Sequence, residues 1–216
     1  MDRAQIIQKT ADFIAREFAS EGSGHDWFHI DRVRRLAVNI GQIEGSEAFI
    51  TEMAALLHDL DDWKISGNQS HFPDKANKWL LDLDMEVDVI AAILQVIEDV
   101  AYQGVGTETR VRSIEGAVVQ DADRLDAIGA IGIARTFAYG GHKGRLIYDP
   151  AIVPVMHSDF QSYQNSTAPT VNHFFEKLFL LKDRMNTNTA KSIAEQRHRL
   201  MENYLEQFFY EWEAKI

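Results

Sequence analysis

Three short segments gather the imidazoles and carboxylates of this chain: HDWFHIDRV at 25–33, LLHDLDDWK at 56–64 and VVQDADRLDAIGAIGIAR at 118–135. In the second, His58 and Asp59 follow an apolar run, so a helix ending there presents both from a point anchored in the core. A histidine from a neighbouring helix, His25 or His29, and a carboxylate from the third segment, Asp121 or Asp123, would complete a set of two nitrogens and two oxygens. Such a set suits manganese, magnesium, nickel, iron or zinc in differing degrees. A cation held this way lowers the pKa of a bound water from about 15.7 towards roughly 7 and polarises a phosphoryl oxygen, which favours attack on phosphorus.

The density of acids points the same way. Asp59, Asp61, Asp62, Asp121, Asp123 and Asp126 fall within two short segments. Like charges some 4 Å apart cost about 4 kcal/mol per pair at an effective dielectric of about 20, so converging carboxylates call for a cation or a proton. The chain has no cysteine, which excludes disulfides, thiolate catalysis and cysteine-ligated zinc or iron–sulfur sites. Its formal charge of -11 would repel a phosphate backbone, so extended nucleic-acid binding is not expected, whereas a bound cation reverses the local field for a small phosphorylated substrate.

The elements that must position these residues read as helices. Apolar residues recur at three- and four-residue spacing, as in Val33, Leu36, Ala37 and Ile40, and no strand-like alternation competes. The pattern predicts an all-α protein with helices near 2–19, 26–43, 47–59, 72–82, 86–101, 108–139, 171–184 and 187–214. With 216 residues, 45% hydrophobic, the chain is expected to form one domain: a core over 1–140, a loop over 141–170 and C-terminal helices over 171–216. Three of the four prolines fall in or beside that loop, which has the length of a lid. The N-terminus, MDRAQIIQKTADFIAREF, lacks the apolar block of a signal peptide, and no membrane-length apolar stretch follows, so a cytoplasmic protein is expected.

The order His29, then His58-Asp59, then Asp123, with its surroundings HIDRV, ALLHDLDDWK and DADRLDAIGA, resembles the H…HD…D signature of the HD-domain superfamily of metal-dependent phosphohydrolases. The downstream NHFFEKLFLLKDRMNTNTAK…AEQRHRLM run extends the resemblance to a small bacterial branch of that superfamily. The resemblance implies an HD-type helical bundle with additional C-terminal helices and a metal held by His29, His58, Asp59 and Asp123. It selects His29 over His25 because His29 stands four residues before Val33, and Asp123 over Asp121 because Asp123 sits in the Ala-Asp-x-Leu setting.

Residues just after the doublet commonly assist hydrolysis in this superfamily, which makes Asp61, Asp62 and Lys64 candidates for the catalytic group, with Asp62 preferred for proton transfer. Arg32, Lys143 and Arg145 are candidates to neutralise substrate phosphates, and His25 to cap a helix or touch substrate. The favoured substrate, by resemblance, is a nucleotide: a nucleoside triphosphate cleaved to release pyrophosphate or phosphate, then a nucleoside monophosphate. Two other readings stand beside this one. A non-catalytic metal- or nucleotide-binding regulator would not need all four ligands, and a di-iron oxygenase would need more histidines near the doublet than His71 supplies.

Several residues have plainer uses. Asp126 would orient a ligand or pair with Arg124 or Arg135, and Gly129 and Gly132 would permit close approach of helices. Tyr204, Phe208, Phe209 and Trp212 share one helical face, to pack on the bundle or on a partner subunit in a homodimer. His173 and His198 are either structural or reach the site from the second half.

Overall fold

The structure is a computed structural model that describes residues 1–19, 26–61, 73–100, 111–156 and 167–215. The fold is all-α, with no strand among the described residues. Its helices are α1 (Arg3–Glu17), α2 (Trp27–Glu44), α3 (Ala48–Leu57), α4 (Asp74–Asp82), α5 (Val87–Val100), α6 (Ile114–Asp126), α7 (Gly129–His142), α8 (Asn172–Glu176) and α9 (Asn188–Trp212). Two single 3-10 turns, Leu178–Leu180 and Lys182–Arg184, lie between α8 and α9. Two compact units, residues 1–123 and 124–216, divide the chain, and the division falls inside α6. No described helix is long and apolar enough to cross a membrane.

In the first unit α3 is the central helix. Its sequence, AFITEMAALL, is apolar on nearly every side, and Met53, Ala54, Ala55, Leu56 and Leu57 are all fully buried. A helix without a polar face must be enclosed, and α1, α2 and α5 pack around it. Local signals start each of these helices. Asp2 and Gln5 form a reciprocal capping box on α1, Asp26 caps α2 through the His29 N–H, and Glu47 caps α3 through the Ile50 N–H. α4 is tied to α1 by Trp79, whose ring stacks on Phe13 at 4.0 Å and whose Nε1 donates to Thr10 Oγ1 at 3.0 Å.

The second unit closes around Phe174, which is fully buried, with the rings of Phe137, Phe179 and Tyr204 at 6.0, 6.2 and 6.1 Å. Thr187 caps α9, and α9 packs on α7. Burial lowers the pKa of Arg197 on α9 from its ordinary value despite the opposing pull of Asp126, and its guanidinium donates to the carbonyl of Leu125 at the end of α6. The stretch that follows α7 has no regular structure up to residue 156, yet its backbone is tied down. Thr170 N–H donates to Leu146 O at 2.8 Å, Val171 N–H to Ile147 O at 3.0 Å, and Asn172 Nδ2 to Ile152 O at 3.0 Å.

Two expectations from periodicity need correction. Over its described part, the single helix expected across 108–139 is two helices, because Gly129 adopts a left-handed φ of 77° and α7 restarts there. The segment expected as one helix over 171–184 is a five-residue helix followed by 3-10 turns. The reason expected for the glycines holds at one and not at the other. A Cβ on Gly129 would stand 2.9 Å from Arg197 Cγ of α9, whereas a Cβ on Gly132 would stand 2.3 Å from the Ala127 carbonyl of the preceding turn, which is no neighbouring helix.

Candidate metal centre

The first unit assembles its polar cluster from three helix segments. His29 is the third residue of α2, set by the Asp26 cap, and its four-residue spacing from Val33 and Ala37 puts it on the inward face. It is fully buried. His58 is the C-cap of α3, at the end of the enclosed helix, and Asp59 follows in the turn 58–61; both are buried. Asp123 comes from α6, with its side chain 39% exposed, so the cluster opens on that side.

The distances are those of groups facing one point. His29 Nε2 lies 3.4 Å from Asp59 Oδ2 and 3.5 Å from Asp123 Oδ1, and His58 Nε2 lies 3.5 Å from Asp59 Oδ1 and 4.0 Å from Asp123 Oδ1. One ligating atom from each of His29, His58 and Asp59 falls within 4.8 Å of the others. Ligands at about 2.1 Å from one ion stand about 3.0–3.4 Å from each other, so this spread closes on a cation with little movement.

The tautomer of His58 fits the same purpose. Its Nδ1 is 2.8 Å from the carbonyl of Ala55, which can only accept, so Nδ1 carries the proton and Nε2 the lone pair. That Nε2 is buried and makes no hydrogen bond. A buried nitrogen acceptor left without a donor is costly unless something electrophilic meets it, and a carbonyl bond on the far nitrogen is the usual way a metal-binding imidazole is oriented. The donor set, two imidazoles and two carboxylates without sulfur, fits a divalent cation.

His25, Asp62, Lys64 and His71 lie outside the described residues. The Asp61 carboxylate caps α4: Oδ1 accepts the N–H of Lys75 and Oδ2 that of Ala76, each at 3.0 Å. Arg32 is half-buried on α2. Lys143 and Arg145 belong to the second unit, where each cation lies 5.6 Å over the ring of Tyr139. Asp121 is fully buried two residues before Asp123, and Asp123 stands beside both imidazoles.

Asp126, which is buried, pairs with the half-buried Arg135 at 2.6 Å. His198 pairs with Glu202 at 3.3 Å and meets the edge of Phe179. Tyr148 brings Phe208, Phe209 and Trp212 together, with centroids 6.0, 5.2 and 5.2 Å from its ring, so this aromatic face packs on the segment after α7. The sequence gives no sign of one polar cluster. Asp99 on α5 and Arg112 before α6 pair at 2.6 Å and hold the start of the helix that carries Asp123.

A helical core with a His–Asp pair at the end of its buried central helix, met by one histidine before it and one aspartate after it, defines a class. The chain belongs to the HD domain family, which matches residues 27–128. Among particular relatives, it is 40% identical to the Bacillus subtilis protein YpgQ over 96% of this chain and 94% of that one. It is similar to an HD-superfamily hydrolase of Bacillus thuringiensis of known structure, with a TM-score of 0.78, 46% identity and coverage of 99% and 100%. The structure of YpgQ in complex with ADP matches with a TM-score of 0.72 and 39% identity, over 92% of this chain and 95% of that one.

Proposed function

We propose that this protein is a divalent-metal-dependent phosphohydrolase that cleaves a phosphate anhydride or ester of a nucleotide, with a nucleoside triphosphate as first choice and a monophosphate next. The observation that carries the reading is the convergence of His29, His58, Asp59 and Asp123 around the buried Nε2 of His58. These four would hold the ion, which supplies Lewis-acid polarisation of a phosphoryl oxygen and a water of lowered pKa. The nucleotide class is supported by the relative YpgQ, whose structure was obtained with ADP.

Burial and exposure support a role for each of the four metal-site residues. His29 and His58, fully or almost fully buried, fix two directions around the centre and exclude water from behind it. Asp59 is buried between the imidazoles and offsets positive charge from within, whereas half-exposed Asp123 faces the side from which a substrate enters. By the resemblance to the superfamily, proton transfer is assigned to Asp62 with Lys64 as a further catalytic candidate, and contact with substrate to Arg32 and His25.

Purified protein incubated with a panel of nucleoside tri-, di- and monophosphates in Mn, Mg, Ni, Fe or Zn tests this reading. The expected result is release of phosphate or pyrophosphate that requires the metal and is lost in Asp59→Ala. No release from any nucleotide with any metal, together with no metal binding, overturns it and favours a regulator.

A further inference from the structure

We propose that Asp61 is a positioning residue of this centre: by gripping the N-terminus of α4 it fixes the turn that carries Asp59. The inference rests on the metal-centre reading above and concerns how that centre is held.

The helix that presents the doublet ends before it does. Leu57 is the last residue of α3, and His58 is still governed by that helix through its ring bond to Ala55. Asp59 is beyond it, in a turn whose backbone bond is Leu60 N–H to Leu57 O at 3.1 Å. Turns outside a helical ladder have more freedom than the helix, and a ligand carboxylate displaced by about 1 Å loses much of its grip on an ion. Something past the turn must set it.

Two groups do so, buried Leu60 and then Asp61. α4 begins at Asp74 after Pro73, and Pro73 at the N-cap offers no side-chain acceptor to the first turn. Asp61 supplies both acceptors from fourteen and fifteen residues away, one oxygen to Lys75 N–H and the other to Ala76 N–H. A carboxylate there also faces the positive end of the helix. α4 is a firm post: Ala76 and Leu80 are fully buried and Trp79 is bonded and stacked to α1.

The test compares Asp61→Ala, Asp61→Asn and the double variant Asp61→Ala/Pro73→Asp, in which the new Asp supplies a local cap. Manganese affinity is read by titration calorimetry, its ligand environment by Mn electron paramagnetic resonance, and folding by circular dichroism and Tm. Asp61→Ala is expected to bind manganese about 10–100-fold more weakly, the range for groups that orient ligands. Asp61→Asn, which keeps one carbonyl acceptor, is expected to lose less. The double variant is expected to regain Tm but not manganese affinity.

Manganese affinity within about twofold of the unaltered protein in Asp61→Ala, or affinity recovered with Tm in the double variant, overturns the proposal. If Asp61→Ala does not fold, the other two variants decide it by the same criteria. Asp59→Ala separates the two claims. If that variant binds manganese as tightly as the unaltered protein, the metal-centre reading fails; if it loses binding while Asp61→Ala keeps it, only the positioning role fails.

Discussion

Removing the carboxylate of Asp99 loosens the start of α6, the helix that delivers Asp123. Asp99 is 6% exposed, and its two oxygens accept from Arg112 twice: Nε at 2.6 Å and the backbone N–H at 2.9 Å. The guanidinium of Arg112 also donates to Glu98 at 2.8 Å and to the Gln95 carbonyl at 3.0 Å, and its hydrogen bonds to Glu98 and then to Asp99 raise its pKa above the ordinary value. A Cβ on Gly116 would lie 2.8 Å from Asp99 Oδ2, so α6 sits directly on this carboxylate.

Two charge-assisted hydrogen bonds are worth about 1.5–3 kcal/mol each where both partners are buried. The side chain of Arg112 is 48% exposed, so water replaces much of what its guanidinium loses. The bond from the backbone N–H is part-buried, its acceptor Asp99 being buried, and Asp99→Ala is expected to cost about 2–3 kcal/mol in total. At about 2–4 °C per kcal/mol for a chain of this size, Tm falls by about 4–12 °C in scanning calorimetry. Asp99→Asn keeps one carbonyl acceptor without the charge and should fall about half as far. A Tm for Asp99→Ala within about 1 °C of the unaltered protein refutes the reasoning.

Manganese at a hundred times its dissociation constant should stabilise the protein by about 2.7 kcal/mol, a rise in Tm of about 5–11 °C. His58→Ala should abolish most of that rise, and an undiminished rise counts against its role as a ligand. Gly129→Ala forces a side chain into a left-handed φ of 77° and to 2.9 Å from Arg197 Cγ, and should cost about 1–3 kcal/mol in urea unfolding. Phe174→Ala empties the centre of the second unit, where the ring is fully buried, and should cost about 3–5 kcal/mol by the same measurement; a loss below about 1 kcal/mol would mean the cavity collapses.

The parts legible in the sequence were those with a local cause. The helix expected over 26–43 appears as Trp27–Glu44, and that over 187–214 as Asn188–Trp212, because apolar spacing and a capping Asp or Thr mark both. Spacing from Val33 also places His29 on the inward face of α2. The break at Gly129 was not legible, since a glycine within an apolar pattern can be helical or left-handed and only the neighbouring chain decides. Nor was the grip of Asp61 on α4, which joins residues fourteen apart across a segment that periodicity does not reach, or the Asp99–Arg112 pair, thirteen apart. Both are polar contacts between elements, and local pattern carries no information about them.

Diffraction from crystals grown with manganese, recorded with its anomalous signal, tests the four-residue centre most directly. One peak is expected within about 2.0–2.3 Å of His29 Nε2, His58 Nε2 and an oxygen each of Asp59 and Asp123. A peak bound by Asp121 or His25 in place of these residues would contradict the ligand set, and no peak among them under saturating manganese would contradict the metal centre itself.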